Sequence, residues 1–247
     1  MSKESIFLSL VIPSYNESSV LSSNLSKIIE YFIQKKYSFE IIVVNDGSSD
    51  FTAELVRSIT VDNPSVKLIN NKQNMGKGFS VKSGILSAQG EYILFSDADL
   101  STPIQELSKL LPYFERGFDV VVGSRALKDS NIVLKQAALR QVMGKVFNYL
   151  VRFLGLADIS DTQCGFKCFK RAPAQRIFSL QKLNGFCFDV EVLSIAKKLS
   201  YKIKDVPVVW VNRADSRVRI CCDSLRMFRD LFKIKLKMLR GSYDVSK

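Results

Sequence analysis

Five short β-rich runs, at residues 7–12, 40–45, 66–69, 92–95 and 119–122, alternate with helical patterns at 18–34, 52–62, 77–89 and 103–116. That alternation argues for an α/β layer fold on a mostly parallel sheet. In open sheets of this kind a ligand lies beyond the carboxyl ends of the strands. The polar segments fall in that place: residues 13–17 after the first run, 46–50 after the second, 70–78 after the third and 97–101 after the fourth. Four such segments after four successive strands would converge on one rim. Gly47, Gly76 and Gly78 suit turns there, and a turn with exposed N–H groups is also a place for phosphate. Ser101 or Thr102, ahead of Pro103 at a first helical position, is the expected cap of the fourth helix.

The fourth run ends in Phe95-Ser96-Asp97-Ala98-Asp99, two carboxylates one residue apart. In extended chain, residues i and i+2 point to the same side. Asp97 and Asp99 would therefore aim two hard oxygen ligands into one crevice. Mg²⁺ or Mn²⁺ prefers that ligand type and takes one or two carboxylates together with phosphate oxygens. No G-x-G-x-x-G follows the first strand and no P-loop motif occurs, so dinucleotide and P-loop chemistries fit poorly.

The chain has 247 residues, enough for one large domain or two small ones, and its 47% hydrophobic and 24% charged residues are an ordinary globular composition. A formal net charge of +12 points to an anionic partner. No run approaches 18 apolar residues and residues 1–5 do not open a signal peptide, so the expectation is a cytoplasmic protein whose membrane contact is peripheral. Five cysteines without histidine exclude a Cys/His zinc site and read as reduced thiols, the Cys164/Cys168 and Cys221/Cys222 pairs included. A basic nucleic-acid-binding protein is the distant alternative. Against it, the cations cluster with apolar residues in the second half, and no RNP-like aromatic run or zinc-finger spacing appears.

Taken in order, Leu10-Val11-Ile12-Pro13-Ser14-Tyr15-Asn16-Glu17, Val43-Val44-Asn45-Asp46-Gly47-Ser48-Ser49-Asp50, Asn74-Met75-Gly76-Lys77-Gly78 and Asp97-Ala98-Asp99 resemble the motifs of family 2 glycosyltransferases with the GT-A fold. Farther on, Gly123-Ser124-Arg125, the run from Asp161 to Phe169 and Phe188-Asp189-Val190-Glu191 resemble the branch that transfers sugar to polyprenyl or dolichyl phosphate. The Asp161-Thr162-Gln163-Cys164-Gly165-Phe166-Lys167 run is most similar to the dolichyl-phosphate β-glucosyltransferases, which use UDP-glucose. The resemblance spans roughly residues 7–235.

It implies that Pro13, Tyr15, Glu17 and Asp46 line a uridine pocket, with Asp46 accepting from the uracil, and that Lys77 lies near the nucleotide phosphates. Asp97 and Asp99 would hold Mg²⁺ or Mn²⁺ on the diphosphate. Mannosyl relatives often carry a Gln as a further metal ligand two positions later, where this chain has Ser101. The acceptor would be a polyprenyl phosphate, with Arg125 and Arg140 binding its phosphate bidentately. Asp161 would serve as a base or orienting group beside the sugar, or tie the loop before Gly165. Asp189 and Glu191 open an expected helix over 190–199 and suit its dipole, which reads as a structural role for both, Asp189 being the better candidate of the two to touch sugar. The reaction implied is inverting transfer of glucose from UDP-glucose to the lipid phosphate. The alternatives are another donor, such as GDP-mannose, or a non-lipid acceptor.

The domain expected is a catalytic unit over 1–215, including a basic amphipathic acceptor-side segment at 132–154, followed by a basic C-terminal helix within 216–247. That helix places Leu225, Phe228, Leu231, Phe232, Leu236 and Leu239 on one stripe, with Arg226, Arg229, Lys233, Lys237 and Arg240 largely outside it. Such a pattern suits either packing on its own domain or the cytoplasmic surface of a membrane with anionic lipids. Many members of the branch carry transmembrane helices, which leaves interfacial helices to make the membrane contact here.

Overall fold

A computed structural model describes residues 5–132, 147, 149–151, 155–211 and 220–244, with side chains from residue 226 onward in the last segment. The first half runs β1 (Leu8–Ser14), α1 (Ser18–Gln34), β2 (Phe39–Asn45), α2 (Thr52–Asp62), β3 (Val66–Asn70), α3 (Lys77–Ser87) and β4 (Tyr92–Ser96). A 3-10 turn at Ile104–Glu106 leads through α4 (Leu107–Leu110) and α5 (Pro112–Glu115) to β5 (Val120–Ser124) and β6 (Asn131–Ile132). The remainder comprises β7 (Phe166–Lys170), α6 (Arg171–Leu180), α7 (Phe188–Lys198), β8 (Ile203–Pro207), β9 (Val209–Trp210) and α8 (Ile220–Leu239).

Seven strands form one sheet in the order β3-β2-β1-β4-β7-β5-β8, and β6 pairs with β9 apart from it. Within the large sheet β7 alone runs antiparallel, between β4 and β5. Because β1 is followed in space by β2 on one side and β4 on the other, the strand order reverses at β1, which opens a crevice beyond the carboxyl ends of these two strands.

Alternate residues feed two cores. Leu10 and Ile12 of β1 join Leu21, Leu25 and Phe32 of α1 on one face, while Val11 joins Val81 and Ile85 of α3, Phe178 of α6 and Leu193 of α7 on the other. Leu231 and Ile234 of α8 and the following Tyr243 belong to that second core. Gly84 permits α3 to lie close on β1, since a Cβ there would fall 2.3 Å from Val11 Cγ1.

The expected alternation and the bounds of α1 and α2 hold. Two details differ. The fourth helical stretch is not one helix: Pro112 has no N–H to donate and its ring crowds the preceding turn, so α4 gives way to α5 there. Neither Ser101 nor Thr102 caps it, for Pro103 precedes the first turn without a side-chain cap. The Ser101 hydroxyl donates to Asp99 instead, and the Thr102 hydroxyl faces Cys164 Sγ at 4.0 Å.

Candidate active site

The loops after β1 and β2 are tied to each other. Asp50 accepts from the Ser18 and Thr52 amides at 3.1 and 3.0 Å, the Asn16 amide donates to Ser48 Oγ, and the Ser49 amide donates to Asn16 Oδ1. Burial pushes the Asp50 carboxyl up, but hydrogen bonds from Thr52 and Ser18 outweigh it and bring its pKa down to about 2. Pro13 ends this strand's apolar run, Tyr15 stands half-exposed beyond it, and the Glu17 amide donates to Thr52 Oγ1 as α1 begins.

Asp46 organises the next loop. Its carboxylate accepts from the amides of Met75 and Gly76 at 2.9 and 2.8 Å and from Asn71 Nδ2 at 2.9 Å. A carboxylate offers about four acceptor positions, so three protein donors leave about one for a ligand. Gly76 has φ +100° and a Cβ on it would meet the Asn184 carbonyl at 2.4 Å. That carbonyl accepts from the Gly78 amide at 2.7 Å, joining the start of α3 to the loop before α7.

Lys77 and the two aspartates after β4 form the next layer. Lys77 Nζ lies 2.6 Å from Asp97 Oδ1 and 5.4 Å from the Phe95 ring centroid. Burial disfavours its charge, yet Asp97, Asp189 and Asp99 together hold its pKa above the ordinary lysine value. Gly165 makes room for Asp97, because a Cβ at 165 would fall 1.9 Å from Asp97 Oδ2. Asp99 closes a tight turn, its Oδ1 accepting from the Ser101 amide and its Oδ2 from the Ser101 hydroxyl, both at 2.8 Å, while Leu100 between them takes φ +50°. Asn24 of α1 holds the loop from below by donating to the Ala98 carbonyl at 2.8 Å.

Among the described residues no group of three or more His, Cys, Asp or Glu side chains is placed to hold a metal alone. The donor set still fits a divalent cation. Asp97 and Asp99 are hard oxygen ligands with lone pairs left over, and Mg²⁺ or Mn²⁺ at a nucleotide site completes its shell with phosphate oxygens and water.

Arg125 and Asp161, expected as separate groups, are partners. Arg125 Nε and Nη2 donate to Asp161 Oδ2 and Oδ1 at 2.6 and 2.9 Å, and the Arg125 amide adds a bond at 3.1 Å. The Gln163 amide brings a fourth. Burial would raise the Asp161 carboxyl, but the Arg125 charge and hydrogen bonds overcome it and hold the pKa below the usual carboxylate value. A carboxylate so saturated is a poor proton acceptor and a good anchor for the guanidinium, whose Nη1 has no hydrogen-bond partner among the described residues. The Trp210 ring backs the guanidinium at 5.4 Å. Arg140, the other expected acceptor residue, lies outside the described residues.

Lys167 closes the Asp161–Lys167 run but carries no expected role in the site. It lies in β7, fully buried, and pairs with Asp189 while donating to the Cys164 carbonyl at 2.5 Å. A lysine within the apolar run 164–169 is the available signal. Asp189, expected in the first turn of this helix as a structural residue or a sugar contact, sits buried at the start of α7 against that lysine. Burial is the largest influence on it and raises its pKa despite Lys167 and Lys77 nearby. Glu191 is structural: it accepts from the Lys182 and Leu183 amides and from the Tyr243 hydroxyl.

Residues 9–178 match the sequence family described as Glycosyl transferase family 2. The chain belongs to that family. As a family 2 glycosyltransferase it is 37% identical over 254 residues to a dolichyl-phosphate beta-glucosyltransferase of Dictyostelium discoideum, covering 98% of this chain and 78% of that protein. The human protein of the same description is 33% identical over 249 residues, covering 96% and 77%. Among solved structures, mannosyl-3-phosphoglycerate synthase from Rubrobacter xylanophilus aligns with TM-score 0.67 at 18% identity, over 98% of this chain and 76% of that one. Glucosyl-3-phosphoglycerate synthase from Mycobacterium tuberculosis, solved with Mn²⁺, UDP-glucose and phosphoglyceric acid, gives TM-score 0.64 at 17% identity, over 98% and 81%. Those two likenesses establish the GT-A fold that the motif order implied.

Proposed function

We propose that this glycosyltransferase moves glucose from UDP-glucose to a polyprenyl phosphate, with inversion, giving a β-linked lipid-phosphate sugar. The observation that carries the reading is similarity above 30% over nearly the whole chain to proteins described as dolichyl-phosphate beta-glucosyltransferases. In it, Pro13, Tyr15, Glu17 and the remaining acceptor position of Asp46 contact uridine, Lys77 faces the diphosphate, and Asp97 with Asp99 hold Mg²⁺ or Mn²⁺. A divalent cation there would neutralise charge gathering on the departing diphosphate.

The nucleophile is a lipid phosphate, whose second pKa near ~6 leaves it largely dianionic at neutral pH. It needs positive charge to bring it in line with an anionic leaving group, and little help from a base. Arg125 is suited to supply that charge. Asp161 fixes one edge of its guanidinium while the other edge, without a partner among the described residues, can meet phosphate, with Arg140 as the second expected contact. Asp161 is then an orienting residue.

Membrane contact is part of the same proposal. No helix of the described residues is long and apolar enough to cross a membrane. On α8 the stripe divides: Leu231 is buried, while Phe232, Leu236 and Leu239 are 75%, 46% and 74% exposed. Exposed Arg229, Lys233 and Arg240 stand beside them, an arrangement that suits the cytoplasmic face of an anionic bilayer.

The test is transfer of labelled sugar from UDP-glucose, UDP-galactose and GDP-mannose to a short-chain polyprenyl phosphate, with Mg²⁺, Mn²⁺ or chelator. Glucose-selective, chelator-sensitive formation of a lipid-phosphate sugar is expected. Efficient transfer from GDP-mannose, or to water-soluble acceptors alone, would overturn donor or acceptor respectively.

A further inference from the structure

Lys77 occupies an awkward position for a lysine. It is the first residue of α3, at the positive end of the helix dipole, where carboxylates are favoured over cations. The amides of Gly78 and Phe79 are turned to the Asn184 carbonyl at 2.7 and 3.3 Å, so what this helix end chiefly offers an incoming anion is the Lys77 ammonium. That ammonium lies 2.6 Å from Asp97 Oδ1, while Asp97 Oδ2 is turned toward Gly165, where a Cβ would fall 1.9 Å from it. One oxygen of this partly exposed carboxylate is thus held by a cation and the other is turned toward Gly165. A metal ion approaching Asp97 meets the oxygen that Lys77 already holds, and two cations sharing it repel.

We propose that Lys77 is an exchangeable counter-ion for Asp97, giving up this carboxylate to the metal and taking the nucleotide diphosphate in return. This rests on the reading of Asp97 and Asp99 as metal ligands and goes beyond it. The flexible four-carbon stem lets the ammonium swing without backbone movement. Metal arriving alone must displace Lys77 and leave it without a phosphate partner. Metal arriving with UDP supplies that partner. Metal and nucleotide therefore bind cooperatively, and the displaced ammonium finishes on the leaving group, where negative charge grows during transfer.

The test is direct binding of Mn²⁺ to the full chain, read from the free-ion electron paramagnetic resonance signal, with and without saturating UDP. It compares wild type, Lys77→Met and Lys77→Arg, with Lys77→Gln standing in if the Met variant fails to fold by circular dichroism. In wild type, UDP should tighten Mn²⁺ binding on the order of tenfold or more. Lys77→Met should bind Mn²⁺ alone on the order of tenfold more tightly than wild type and lose most of the UDP effect, whereas Lys77→Arg should stay close to wild type. A folded Lys77→Met chain that binds Mn²⁺ alone no better than wild type would overturn the exchange while leaving the metal site standing. Absence of Mn²⁺ binding to wild type even with UDP would overturn the metal-site reading itself.

Discussion

The two sides of the rim are held by different forces. After β1, β2 and β3 the loops are fixed by backbone amides donating to short side chains: Met75 and Gly76 to Asp46, Ser18 and Thr52 to Asp50, Ser48 to Asn45. Around β4, β5 and β7 the organising contacts are ion pairs, Lys77 with Asp97, Arg125 with Asp161 and Lys167 with Asp189. With Asp99, that second side sets four carboxylates against three cations, a net deficit of one positive charge among these seven side chains. A hydrogen-bonded rim gives a stiff surface for a neutral ring. An array of charges short of one cation is where a divalent ion and a diphosphate can enter together.

The ion pairs also differ from each other. Arg125 and Asp161 meet through three hydrogen bonds at a buried carboxylate, while Lys77 and Asp97 meet through a point charge at a partly exposed one. The first is built to stay and the second can exchange. Asp161→Ala, which leaves Arg125 buried without its partner, should cost the largest stability, about 3–5 kcal/mol by denaturant unfolding. A loss below ~1 kcal/mol would place this pair with ordinary surface pairs and erase the contrast.

Next in size is Gly165→Ala, whose methyl group would force Asp97 from its place. Misplacement of a reacting group by about 1 Å costs on the order of 100-fold in rate. Such a loss in kcat/KM is expected with little change in unfolding midpoint, and unchanged kinetics would show that the Asp97 position is not critical. On the hydrogen-bonded side, Asp46→Asn keeps one acceptor and should weaken UDP binding about tenfold through the 71–76 loop. Calorimetry would sharpen the comparison by asking whether that loss is the same with chelator present, as a loop effect requires.

The smallest effect is one of pH. The folded pKa of Asp50, about 2, lies below its ordinary value near ~3.9, so its contribution to stability is complete above about pH 4 and is lost as pH falls toward 2. Asp50→Asn should flatten the acid limb of stability over that interval, read from thermal unfolding at successive pH values. A limb identical to wild type would remove Asp50 from the loop-fixing groups.

The same contrast separates what the sequence discloses from what only folding brings together. The first four strands and their loops are legible because each unit is local: an apolar run, a polar turn and a helix with the right period. Ser18–Gln34 and Thr52–Asp62 fall where the pattern puts them. The D-x-D is legible because its two carboxylates are neighbours in sequence. The ion pairs are not, since Arg125 and Asp161 stand 36 residues apart and nothing in either neighbourhood names the other. Strand β7 is hidden for a related reason. Its Phe-Lys-Cys-Phe-Lys sequence carries a lysine that is fully buried only because Asp189, 22 residues on, meets it there. The break at Pro112 is visible in sequence, but the helical pattern around it obscures the missing N–H.

Metal dependence of the donor site through Asp97 and Asp99 is the central claim. UDP affinity measured by calorimetry, in Mn²⁺ and in chelator, for wild type and Asp99→Asn tests it most directly. Wild type should bind UDP on the order of tenfold or more tightly with Mn²⁺, and Asp99→Asn, folded as judged by circular dichroism, should bind it equally weakly in both. If Asp99→Asn kept the full Mn²⁺ effect, the metal would be held elsewhere and the assignment of this site would be wrong.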